Sequence, residues 1–244
     1  MKTLRIAIIL FTFLCMVTSN QLVFAYGGGM KTEEMPKDEQ NSLIENACIN
    51  VFETKSEEKP IICFDVNEDG LIALGSENQN RKRICVYSED MTFLYRINFN
   101  CNGAFGFEWN GDDIEIYFVR DRADVIVDRN GNIKVVRSYI ESIENEKYFN
   151  YVLGATERTV NGAKYTLKTS SGKTSSGRFG SFPYLCVTMQ NGEEKILYDV
   201  SDTYTKEKHI DIITTLIFAA VPMVIIGFTW KKTYMQKKHN EENS

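Results

Sequence analysis

The sequence predicts an all-β domain ahead of one C-terminal transmembrane helix. Three observations carry this. Between Ile61 and Val200 short apolar runs alternate with a period of two and are punctuated by Asn, Asp and Gly turns. Ile212 to Trp230 holds no charged residue and is followed at once by Lys231 and Lys232. The first 25 residues have the make-up of a secretion signal.

In chain order, the basic start MKTLR leads into the apolar run Ile6 to Val17 and then a more polar stretch. Val23-Phe24-Ala25 offers a cleavage site before Tyr26, and Val17-Thr18-Ser19 a second. Residues 1–25 therefore read as a signal peptide, with an uncleaved anchor as the alternative. Residues 26–46 begin YGGGMKTEEMPKDEQ, which has almost nothing to bury, and read as a flexible leader. Leu43 to Thr54 is ambiguous: Leu43, Ala47 and Val51 fit a helix face and Ser42 with Glu45 a capping box, whereas Ile49 to Glu53 alternates like a strand. The turn-like KSEEKP that follows favours a strand for the second half.

From Ile61 the text repeats itself. Ile61 to Val66, the turn Asn67 to Gly70, Leu71 to Gly75, Ile84 to Tyr87 and Thr92 to Phe99 form one unit. Phe105 to Trp109, Ile114 to Arg120, Ala123 to Val127, the Asn130-Gly131 turn and Ile133 to Val136 repeat it. Phe64 matches Phe107 at an offset of 43 and Cys85 matches Val125 at an offset of 40. A looser third copy runs from Gly154 to Val200, interrupted by the Ser/Gly stretch Thr169 to Ser181, which lacks apolar content and reads as a loop. The domain so defined spans 47–205.

In these repeats the chain resembles β-propeller proteins, whose blades repeat FDxxGxIxV-like hairpins about every 40 residues. The resemblance extends to propeller-like ectodomains of single-pass membrane proteins. It covers Ile61 to Val200 and implies an antiparallel meander of about three blade-like repeats that binds rather than catalyses. No WD dipeptide closes a repeat. Three blades are fewer than a closed ring needs, so either a partner completes the ring or the strands form another all-β shape such as a sandwich. Open strand edges also invite pairing with another chain, including a second copy.

Composition narrows the chemistry. Between Tyr26 and His209 there are 22 Lys/Arg against 30 Asp/Glu, a surface that repels phosphate backbones, so no nucleic-acid partner is expected. The two histidines, His209 and His239, flank the apolar span, which argues against Ser-His-Asp, Cys-His and imidazole-metal chemistry. Cys48, Cys63, Cys85, Cys101 and Cys186 form no CxxC pair; Cys63, Cys85 and Cys186 sit in apolar runs and read as small core residues. No cofactor-binding motif is present, and no catalytic residue is assigned.

Two motifs bear on chemistry. Asp65, Asn67 and Asp69 match the first half of a calcium loop, but the twelfth position is Ser76 rather than Glu, and a hairpin turn explains the same residues. Asp112, Asp113 and Glu115, with Asp121 and Asp124 on the next loop, form the densest acidic group. Paired carboxylates can cleave glycosides, with Trp109 and Tyr117 to stack a sugar. A solvated strand face is the plainer reading of those acids.

The last element is the span at 211–230, whose 19 uncharged residues reach about 28 Å as a helix, near the ~30 Å of a bilayer core. Lysines 231, 232, 237 and 238 follow it, which places the 231–244 tail in the cytoplasm. The expected protein is a single-pass type I membrane protein of the cell membrane. Its ectodomain is expected to be a non-catalytic binding or accessory module for an envelope protein or ligand, with an envelope hydrolase as the alternative.

Overall fold

A computed structural model describes residues 29–78, 81–169, 180–206 and 208–210. The signal peptide, the membrane span with its tail, and most of the Ser/Gly loop lie outside these residues. Among the described residues no helix is long and apolar enough to cross a membrane.

The described chain is three antiparallel sheets. The first carries β3 (Cys63–Val66), β4 (Ile72–Asn78), β5 (Arg81–Tyr87) and β6 (Phe93–Asn100), the second β7 (Phe105–Asn110), β8 (Asp113–Phe118), β9 (Ala123–Val127) and β10 (Ile133–Tyr139). The third carries β11 (Glu157–Val160), β12 (Ala163–Lys168), β13 (Tyr184–Thr188) and β14 (Glu194–Asp199). Each sheet contains a four-strand meander, and the first two gain a fifth strand from the N-terminal segment. Phe64 and Phe107 fall on the first strands of their sheets and Cys85 and Val125 on the third. The turns are also as read: Gly70, Gly131, Gly162 and Gly192 all have positive φ, where a side chain would be strained.

The sheets stack with the first in the middle. Cys63, Ala73, Ile84, Val86 and Ile97 face Phe107, Ile116 and Val125 of the second sheet. From the other side, Phe64, Ile72, Leu74 and Tyr87 face Tyr165, Leu167, Leu185 and Val187 of the third. Burial on both faces explains why β3 and the second half of β5, Ile84 to Tyr87, read as nearly unbroken apolar runs. Cys63 and Cys85 are buried there as free thiols, while Cys186, also buried and free, lies on the outer face of the third sheet. No closed propeller forms among these sheets. The outer face of the third sheet instead carries the ion pairs Glu157–Lys164 and Lys168–Glu194, the polar finish of an end layer.

Contact between the first two sheets is close enough to require glycine at Gly75. A Cβ there would lie 2.5 Å from Cys63 Sγ and 2.8 Å from Phe107 Cε1. Gly75→Ala is expected to destabilise the fold by about 1–3 kcal/mol through overpacking, read as a lower urea midpoint with unchanged slope.

Three departures from the sequence reading concern the N-terminal segment and one helix. The stretch read as a flexible leader holds β1 (Thr32–Glu34) and the helix α1 (Lys37–Ala47). β1 is invisible to hydrophobic patterning because it adds through its backbone to the outer edge of β10, Thr32 opposite Tyr139. Helix α1 starts five residues ahead of Ser42, with Asp38 and Glu39 in its first turn favouring the dipole, and ends at Cys48 in the left-handed region. The strand favoured for the second half of Leu43 to Thr54 is β2 (Asn50–Phe52), which adds to β6. The third departure is α2 (Ile143–Gly154), between the second and third units. Ser142 caps it by accepting from Asn145 N–H at 3.1 Å. The cap and the i, i+4 pair Tyr148/Val152 were its signal in the sequence.

Candidate functional site

The first strands of the three sheets come together, and α2 packs against β7 and β3. This gathers polar groups from four elements. Arg158 on β11 donates from Nε to Asp65 Oδ1 on β3 at 2.9 Å, while the Trp109 backbone N–H of β7 donates to Asp65 Oδ2 at 2.9 Å. The guanidinium also lies over the Tyr151 ring of α2, 4.9 Å from its centroid. Glu108, next along β7, accepts from the Tyr117 hydroxyl at 3.1 Å and from the Tyr148 hydroxyl of α2 in a very short bond. Burial pushes the Glu108 carboxyl up; the Tyr148 bond opposes this and the Asp65 charge adds to it.

The same face continues outward. Glu108 stands directly across from Glu115 on the neighbouring strand. Glu115 accepts from Asn110 Nδ2 and from Arg137 Nη2, both at 2.8 Å. Arg137 also holds Asp124 Oδ2, from Nε at 3.0 Å and from Nη2 in a very short contact. Burial, then hydrogen bonding to Asp124, pushes Glu115 up to about 7. Asp124 is completely buried, and its Oδ1 meets no donor among the described residues.

The acidic group picked out in the sequence is thus divided. Glu115 and Asp124 come together under Arg137, while Asp113 is taken by Lys134 Nζ at 2.9 and 2.7 Å. Asp112 and Asp121 stay in exposed turns. Both candidate stacking aromatics are packing residues: Trp109 joins the core between the first two sheets, and Tyr117 meets Tyr148 and Phe149 edge-on beneath α2. In the calcium-like loop the Asp65 carboxylate turns to Arg158 and Trp109, while Asn67 Oδ1 accepts from Leu71 N–H at 2.8 Å to close its own turn. Among the described residues no group of three His, Cys, Asp or Glu side chains is arranged to hold a metal ion.

Sequence reasoning missed Glu108, Arg137, Arg158 and Tyr148. Each acquires its role from a partner on another element, at distances in sequence that reach 93 residues for Asp65 and Arg158.

A second feature lies on the outer side of α2. A groove of about 530 Å³ runs between α2 and the end of β10, with Val119, Ile140, Ile143, Phe149 and Leu153 among its walls. Ile143 and Ile140 are exposed there. Comparison of the chain with protein-family models and with curated proteins gives no match to either.

Proposed function

We propose that this chain is a non-catalytic binding or accessory module of the cell envelope. Residues 212–230 anchor it in the membrane, and its β-domain docks outside the membrane onto another envelope protein. The observation that carries this reading is the α2 groove, where the exposed Ile140 and Ile143 stand beside Val119, Phe149 and Leu153. The ionisable groups at the convergence of the sheets are engaged with one another, and Asp124 has no surface for a substrate to touch.

The test is a photo-crosslinking residue placed at position 143 of the full-length protein in its native membrane. One stoichiometric adduct with another envelope protein is expected, and Ile143→Asp should abolish co-purification of that protein. Recovery of the chain without any adduct would overturn the reading.

One observation favours the alternative of a carboxylate-using hydrolase. Glu115, pushed up to about 7, is placed to hold and release a proton near neutral pH. Glu115→Gln separates the two readings. A hydrolase would lose its activity with the fold intact, whereas a docking module would keep its partner.

A further inference from the structure

A second cavity, of about 350 Å³, opens at the starts of β3 and β7 and shares only Leu153 with the walls of the α2 groove. That is within the roughly 300–1,000 Å³ of small-molecule sites. Its walls are Ile62, Phe105 and Leu153, with the Gly103–Ala104 turn, and two charged residues face it, Lys82 and Glu77.

Lys82 is the unusual member. It stands on β5 in line with Ile84 and Val86, the stripe that packs between the first two sheets, and its side chain is only 7% exposed. An ammonium carries three donors. Among the described residues its one hydrogen-bond partner is Glu77, its cross-strand neighbour on β4, whose side chain is 49% exposed. A desolvated ammonium with spare donors beside a cavity is suited to a further anionic acceptor.

A plain carboxylate would meet repulsion from Glu77. A ligand carrying both charges avoids this. Because Lys82 and Glu77 touch, their charges match groups on one carbon of the ligand, as in an α-amino acid.

We propose that this cavity binds an apolar α-amino acid. Its carboxylate lies inward on Lys82 and its ammonium outward on Glu77. Its side chain rests against Ile62, Phe105 and Leu153. The site extends the binding reading of the protein to a small ligand, and it fails or stands separately from the α2 groove, whose test is protein co-purification.

The experiment is calorimetric titration of the purified full-length protein with L-leucine, 4-methylpentanoate and 3-methylbutylamine. Leucine is expected to bind, and each half-ligand, lacking one charge, to bind at least about tenfold more weakly. Lys82→Met, which keeps the buried volume, and Glu77→Gln, on the half-exposed rim, should each weaken leucine by a similar factor. The half-ligand comparison needs no variant, so it stands even if Lys82→Met fails to fold. Absence of leucine binding at millimolar concentration, equal binding of 4-methylpentanoate, or unchanged binding by Glu77→Gln would overturn the proposal.

Discussion

Asp65→Ala is expected to be the most damaging single change in the domain, costing about 3–5 kcal/mol. Arg158 is only 9% exposed, and Asp65, at 12%, is its one ion-pair partner among the described residues. Removing the carboxylate strands a buried guanidinium and also takes the acceptor from the Trp109 backbone N–H. One side chain thus links β3, β7 and β11, the first strands of all three sheets. The loss should appear as a lower urea midpoint. Replacing both members, Asp65→Leu with Arg158→Met, should recover much of it, because the cost lies in the unpaired charge rather than in the absence of the pair. Additive losses in that double variant would show that the pair is not the source.

The second large effect is a decline in stability as pH rises toward neutrality. Glu115 is pushed up to about 7 in the folded protein, against an ordinary glutamate value near 4.5. Between those values the folded state holds a proton that the unfolded chain has released, so stability falls with rising pH and the contribution is gone above the folded value. Its size is on the order of 2 kcal/mol. Glu108, pushed up by burial, adds to the same slope. Asp90 and Asp128 act in the opposite sense and only at lower pH, since hydrogen bonds from Ser88 and Asn132 hold them below the ordinary range. Glu115→Gln can still donate to Asp124, so it should flatten the slope and leave the variant the more stable protein at about pH 8. Urea midpoints from about pH 5 to about pH 8 decide this, and parallel curves for the two proteins would show that Glu115 is not the source.

What could be read from the sequence was local. The hairpins announced themselves because Asn-Gly and Asp-Gly turns must sit where φ is positive, and because β3 and Ile84 to Tyr87 of β5 are apolar on both faces. Their third partners were not legible. That the first sheet lies between the other two depends on which faces meet, and period-two patterning cannot choose between neighbours when both faces are apolar. The candidate site follows the same rule. Asp65 looked like part of a calcium loop because its sequence neighbours are oxygen-bearing, yet its partner Arg158 belongs to the third unit. Glu115 and Asp124 were seen as acids near one another, while the pairing that shifts Glu115 needed the diagonal register of β8 and β9.

The attachment of β1 to β10 also sets a timetable for synthesis. Thr32 leaves the ribosome early, yet its partner Tyr139 follows only after about 100 further residues. At roughly 5–20 residues per second that is an interval of about 5–20 s. Throughout it, Thr32 to Glu34 have no ladder to join, and β10, once made, exposes a bare edge until they return to it. Sealing the second sheet is therefore a late event, made by the first residues of the domain to emerge.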